Sequence, residues 1–177
     1  MNEGLIARRY ATAMLKVAQA HGAAGEVYEK MKLFEQNYVS HPDLQKALTN
    51  PVLSPKDKEN LLTTAIGIEP GIFYIRGIRL LIHNHREMYI RQIGLMYQRL
   101  YRQAYHIGRV KIIMATQLSE EAIDRIKKLV TDRTSNTIEF VERIDPSIIG
   151  GFVLRVNSMQ LDLSVSRGLR EFKMKLK

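Results

Sequence analysis

From Gly4 to Ala20 the polar residues Arg8, Thr12, Lys16 and Gln19 recur every three or four positions and make one narrow stripe along a predicted helix. Most of the remaining circumference is apolar. A surface helix ordinarily buries a single face, whereas this one offers two. Ile6, Tyr10, Ala13 and Val17 form one; Ala7, Ala11, Met14 and Ala18 form the other. The second is rich in alanine, which allows another helix to come close. Either the helix is central and buried on both sides by its own chain, or one face is kept for a partner.

His21-Gly22 ends this helix, glycine supplying a left-handed cap. A second helix is expected over 24–39, with Val27, Met31, Phe34 and Tyr38 on one side. A short third helix follows over 43–49 and stops before Asn50-Pro51. Ser54 as N-cap and Pro55 at the first helical position begin a fourth. Helices over 71–83 and 87–105 complete the set, the last with Tyr89, Ile93, Met96 and Leu100 on one side. Six helices with short links imply an antiparallel bundle.

Near His106 the period changes. Val110, Ile112 and Met114 alternate with Arg109, Lys111 and Ile113, as in a strand. Ser119 then caps a helix with Glu120 and Glu121 in its first turn and Ile123, Ile126 and Val130 as its apolar stripe. Segments 137–144 and 150–156 read as strands, and 163–176 as a closing helix with Leu169, Phe172 and Leu176 on one side. The expected fold class is therefore an α-dominated two-domain protein. Residues 1–105 form a six-helix bundle and residues 106–177 a small α+β module of order β-α-β-β-α.

Composition narrows the chemistry. The absence of cysteine excludes disulfides, thiolate catalysis and Cys-based zinc sites. No apolar run approaches the roughly 18 residues of a membrane span, and the first residues lack the pattern of a signal peptide. The formal net charge is +9. Residues 1–105 hold 14 Lys and Arg against 9 Asp and Glu, and the remainder 13 against 9, so the excess is spread over both halves. Such a chain favours acidic partners or carries a solvated basic surface.

The glycine pair in "RIDPSIIGGFVLRV" invites a phosphate-binding reading. A phosphate loop needs glycines between a strand and a helix, followed by Lys and Ser or Thr. Here Gly150-Gly151 leads into a strand, and no such residues follow. The pair, with Asp145 and Pro146, reads as a structural turn in which glycine permits positive φ or a close backbone approach. His83 and His85 lie two positions apart, about 200° around a helix, and cannot share a metal there. No serine sits in a nucleophile elbow. The tyrosines among the arginines of 89–109 could stack on single-stranded nucleic acid, but they fall largely at helical core spacing. No catalytic, cofactor or metal site is expected.

With these elements in place the chain resembles the delta subunit family of F-type ATP synthases, whose mitochondrial counterpart is the oligomycin-sensitivity-conferring protein. "ARRYATAMLKVAQ" is similar to the family's first helix, and "NPVLSPKDKENLL" and "LLIHNHRE" take expected places. The most specific likeness is "IDPSIIGGFVLRVNSMQLDLSVSRGLREFKMKL": an acidic turn, Ile-Gly-Gly, a strand, Asp-x-Ser-Val and a leucine-bearing helix. "NSMQLDLS" departs from it where a more open, glycine-containing turn is expected.

The resemblance implies a non-catalytic stator component that joins alpha subunits of the catalytic head to b-type subunits of the peripheral stalk. It implies no cofactor, no nucleic acid and no insertion into the membrane. It also implies one copy per complex, a monomer when isolated, and a peripheral position on the cytoplasmic face of the cell inner membrane. The bundle would bind the head and the α+β module the stalk. The partner site it suggests is a groove between the first and fifth helices, formed by Ala7, Tyr10, Ala11 and Met14 with Ile75, Arg79 and Leu80.

Overall fold

The computed structural model describes residues 3–50, 52–132, 134, 137–156, 159–165 and 167. The chain divides into two compact units, Met1–Ala104 and Tyr105–Lys177.

The first unit is helical: α1 (Glu3–Ala20), α2 (Ala24–Ser40), α3 (Pro42–Thr49), α4 (Pro55–Thr64), α5 (Ile72–His83) and α6 (Ile90–Ala104), with a 3-10 turn over Glu87–Tyr89 leading into α6. Local chemistry sets the ends. Gly22 takes φ +69°, and the Ala23 N–H returns to the Ala18 carbonyl at 2.8 Å, which closes α1. The Ser54 hydroxyl accepts the Asp57 N–H at 3.2 Å and opens α4 behind Pro55.

The core of this unit holds Met31 and Phe34 of α2, Leu62 of α4, Tyr74, Ile78 and Leu81 of α5, and Ile90, Ile93 and Tyr97 of α6. On α6 the buried stripe is thus Ile90, Ile93 and Tyr97, while Tyr89, Met96 and Leu100 are only partly buried beside it. Buried polar ends find backbone partners. Tyr74 donates to the Leu62 carbonyl at 3.2 Å, Tyr97 to that of Ala24 at 3.0 Å, and Gln98 to that of Met31 at 3.2 Å.

The alanine-rich face of α1 requires a correction. Ala7 and Ala11 are 2 % and 0 % exposed and belong to the core with Leu15 and Ala18. The neighbour with which α1 makes its most extensive contact is α6. Small side chains do let a helix approach, but that helix is the chain's own, and Ala7 and Ala11 are closed to any partner.

The second unit is a four-stranded sheet, β1 (Gly108–Met114), β2 (Ile138–Ile144), β3 (Gly151–Val156) and β4 (Met159–Ser164), in the order β2-β1-β3-β4, with α7 (Glu120–Thr131) between β1 and β2. β2 runs parallel to β1, as a helical crossover allows, and β3 and β4 are antiparallel neighbours. The Ser119 hydroxyl accepts the Ala122 N–H at 3.4 Å and starts α7. Ile123 and Ile126 of α7 pack on Val110, Ile112, Met114 and Leu154. The helix-rich bundle followed by a small α/β module is the expected class, with one addition. Segment 159–164 forms β4, so Leu163 and Ser164 end a strand and do not begin a helix. The expected closing helix, with Leu169, Phe172 and Leu176, lies from residue 168 onward outside the described residues.

Candidate partner-binding groove

Burial of Ala7 and Ala11 turns the other apolar face of α1 outward. Ala13 and Val17 are exposed, Val17 by 50 %, while Ile6 and Tyr10 are half-buried beside them. α5 runs alongside with Phe73, Gly77 and Leu80 on the facing side; Leu80 is 46 % exposed. Between them lies a hollow of about 120 Å³ walled by Ala13, Met14 and Val17 from α1 and by Phe73, Arg76, Gly77 and Leu80 from α5.

Gly77 makes its floor. A side chain there would run into the end of Met14, so the two helices close beneath the hollow. The His21 ring lies 4.9 Å from that of Phe73, one of the wall residues. The hollow is smaller than the roughly 300–1,000 Å³ of a drug-sized ligand pocket. Its open, apolar form suits the side chains of an amphipathic helix laid along it.

The residues suggested from sequence are distributed over this geometry. Met14, 8 % exposed, and Leu80 line the hollow. Tyr10 flanks the same face of α1. Ala7 and Ala11 lie in the core. Ile75 and Arg79 stand on the opposite side of α5, where they border a separate hollow with Glu69, Pro70, Gly71, Ile72 and Arg76. Arg79 is held there by Glu59 of α4, with an N···O distance of 2.8 Å, and this pairing raises its pKa further. Sequence reasoning missed Ala13, Val17, Phe73, Arg76 and Gly77 as wall residues. The signal for Ala13 and Val17 was present, since both belong to the second apolar face of α1.

The turn over 145–151 carries no phosphate-binding geometry. Asp145 Oδ1 accepts the Ser147 hydroxyl at 2.6 Å and the Ser147 N–H at 3.1 Å. Those two bonds, the hydroxyl first, hold the Asp145 carboxyl below the usual carboxylate range. A carboxylate kept ionised in the turn repels phosphate. The Asp145 N–H is spent on the Met114 carbonyl at 2.8 Å, and Pro146 has no N–H to offer. The Gly150 carbonyl accepts the Val165 N–H at 3.0 Å, which ties the turn to the end of β4. Gly151 sits at φ +77°, where a Cβ would overlap the Leu163 carbonyl oxygen.

Comparison with known proteins places this architecture. The family model described as ATP synthase delta (OSCP) subunit matches residues 6–176. ATP synthase subunit delta of Bacteroides thetaiotaomicron is 36 % identical over 175 residues, covering 98 % of this chain and 94 % of that one. The corresponding subunit of Parabacteroides distasonis is 34 % identical over 173 residues, covering 98 % and 96 %. In fold, the chain is similar to one in the cryo-EM structure of the Toxoplasma gondii mitochondrial ATP synthase hexamer, with TM-score 0.68 and 18 % identity over 99 % of this chain and 97 % of that one. A family match over nearly the whole length, joined to two relatives above 30 % identity, decides the assignment: the chain belongs to the ATP synthase delta (OSCP) subunit family and is a non-catalytic, structural subunit of an ATP synthase complex.

Proposed function

We propose that this subunit is a stator link. Its helical unit grips the N-terminal segment of an alpha subunit of the catalytic head, and its α+β unit grips the b-type peripheral stalk. The head is thereby held still while the rotor turns, which couples rotation to ATP synthesis and proton transport. One copy serves each complex, at the cytoplasmic face of the cell inner membrane, and the isolated chain is a monomer.

The observation that carries this reading is the α1–α5 hollow. It leaves Ala13, Val17 and Leu80 exposed side by side on two adjacent helices, around a shared apolar hollow. An amphipathic helix from the alpha N-terminus would cover all three. Among the described residues no helix is long and apolar enough to cross a membrane.

Titration of the full chain with a fluorescent peptide from the alpha N-terminus tests the proposal. Ala13→Trp places bulk at the mouth of the hollow, on an exposed position, and is expected to abolish saturable binding while leaving the thermal melt in place. Binding by Ala13→Trp equal to that of the wild type would refute the groove.

A further inference from the structure

We infer that the α1–α5 groove selects helices with acidic flanks, because its rims are cationic; this rests on the reading of the groove as the docking site proposed above. The sequence of α1 contains Arg8, Arg9 and Lys16 with Glu3 as its sole acid, and α5 contains Arg76 and Arg79 with none. Helical spacing sorts these charges. Ala13 and Val17 mark the groove side of α1, and Arg9 and Lys16 fall on the adjoining outer edge, one on each side of Ala13 along the axis. Both are exposed, and neither makes an ion pair among the described residues.

On the opposite rim Arg76 lines the hollow, exposed, with its guanidinium carbon 5.7 Å from the centre of the Phe73 ring. Arg79, by contrast, is consumed by Glu59 on the far side of α5. Glu3 stands near the start of α1, beyond Tyr10 and outside the hollow. An occupant therefore meets an apolar floor between Arg9 and Lys16 on one side and Arg76 on the other. Acidic residues on both flanks of its apolar seam complement this arrangement, and basic ones there are repelled.

Exposed rim charges contribute little to the lifetime of a complex and more to the rate and selectivity of encounter. The apolar floor sets dissociation and the rims set association.

Stopped-flow binding of the full chain to three versions of the alpha N-terminal peptide tests this. The versions keep one apolar seam and carry Glu, Gln or Lys at the positions flanking it. Association is expected to be fastest for Glu and slowest for Lys, and to fall with added salt only for Glu. The double variant Lys16→Gln/Arg76→Gln should bind the Glu peptide about three- to tenfold more slowly, with dissociation nearly unchanged. If Ala13→Trp abolishes binding but the double variant associates as fast as the wild type, with the same salt dependence, the charge selection is refuted and the groove stands. If Ala13→Trp binds normally, the groove itself is wrong and the inference falls with it.

Discussion

Gly77 of α5 lies directly against Met14 of α1: a Cβ on the glycine would overlap the methionine methyl. The floor of the groove is thus a single helix contact between the smallest residue and one of the most adaptable. Met14 can swing its end aside at modest cost, because a thioether chain has several soft torsions.

Gly77→Ala should therefore change stability by less than about 1 kcal/mol, since the gain in helix propensity offsets the displaced methionine. The displaced side chain would rise into the hollow and weaken the alpha peptide. Denaturant melts and peptide titration on one sample would check this pair of effects; a strongly destabilised Gly77→Ala would mean that Met14 cannot move.

Ala11→Trp gives the opposite balance. Ala11 is fully buried against the bundle core, so an indole there should cost about 3 kcal/mol or more by overpacking, at the upper end of the usual range. A urea melt of the variant should show an early helical transition or none. A variant as stable as the wild type would show this face to be open.

Gly151→Val combines a left-handed backbone with an overlap of the Leu163 carbonyl. Strain at such a φ costs about 1–3 kcal/mol for a non-glycine residue, before the steric clash is added. The C-terminal unit should melt earlier while the helical unit keeps its own transition. Unchanged stability would contradict the close approach of β3 to β4.

Lys58 of α4 and Glu87 of the 3-10 turn form a largely buried ion pair, with N···O 2.5 Å. Burial alone would raise the Glu87 pKa; the Lys58 hydrogen bond, a backbone donor and the Lys58 charge outweigh it and hold the carboxyl below the usual carboxylate range. A depressed carboxylate pKa contributes stability that is present above the unfolded value and lost as pH falls through the folded one. Glu87→Gln should then cost about 1.5–3 kcal/mol at neutral pH, the range for a hydrogen bond to a charged group. The gap to the wild type should shrink as pH falls from the usual carboxylate range through the lowered folded value. Chemical denaturation at neutral and acid pH would reveal it, and a gap independent of pH would argue against the pair.

Helix ends were legible in the sequence wherever a cap has a chemical signature. Ser54, Ser119 and Gly22 act in the structure as their residue types predict. The positive φ of Gly151 was legible too, because the glycine pair had no other chemical use. The choice between the two faces of α1 was not. Both are apolar at the same spacing, and only the position of α6 decides which is core. Arg79 was misplaced for a related reason, since its partner Glu59 lies 20 residues away on another helix. β4 was missed because the segment was expected to be an open turn leading into a helix from residue 163, and its apolar residues Met159, Leu161 and Leu163 are all open to solvent, so no core face marks the strand. Tertiary packing fixed what local pattern left open.

The most direct measurement is site-specific crosslinking from Val17, half exposed on the groove face of α1, in ATP synthase purified from membranes in mild detergent. A photoreactive residue there should yield one principal adduct, which mass spectrometry would map to the N-terminal segment of an alpha subunit. The same residue placed at Val52, exposed away from the groove walls, should not give it. An intact complex that contains this chain, yet in which Val17 crosslinks to another subunit or to none, would contradict the assignment of the groove to the catalytic head.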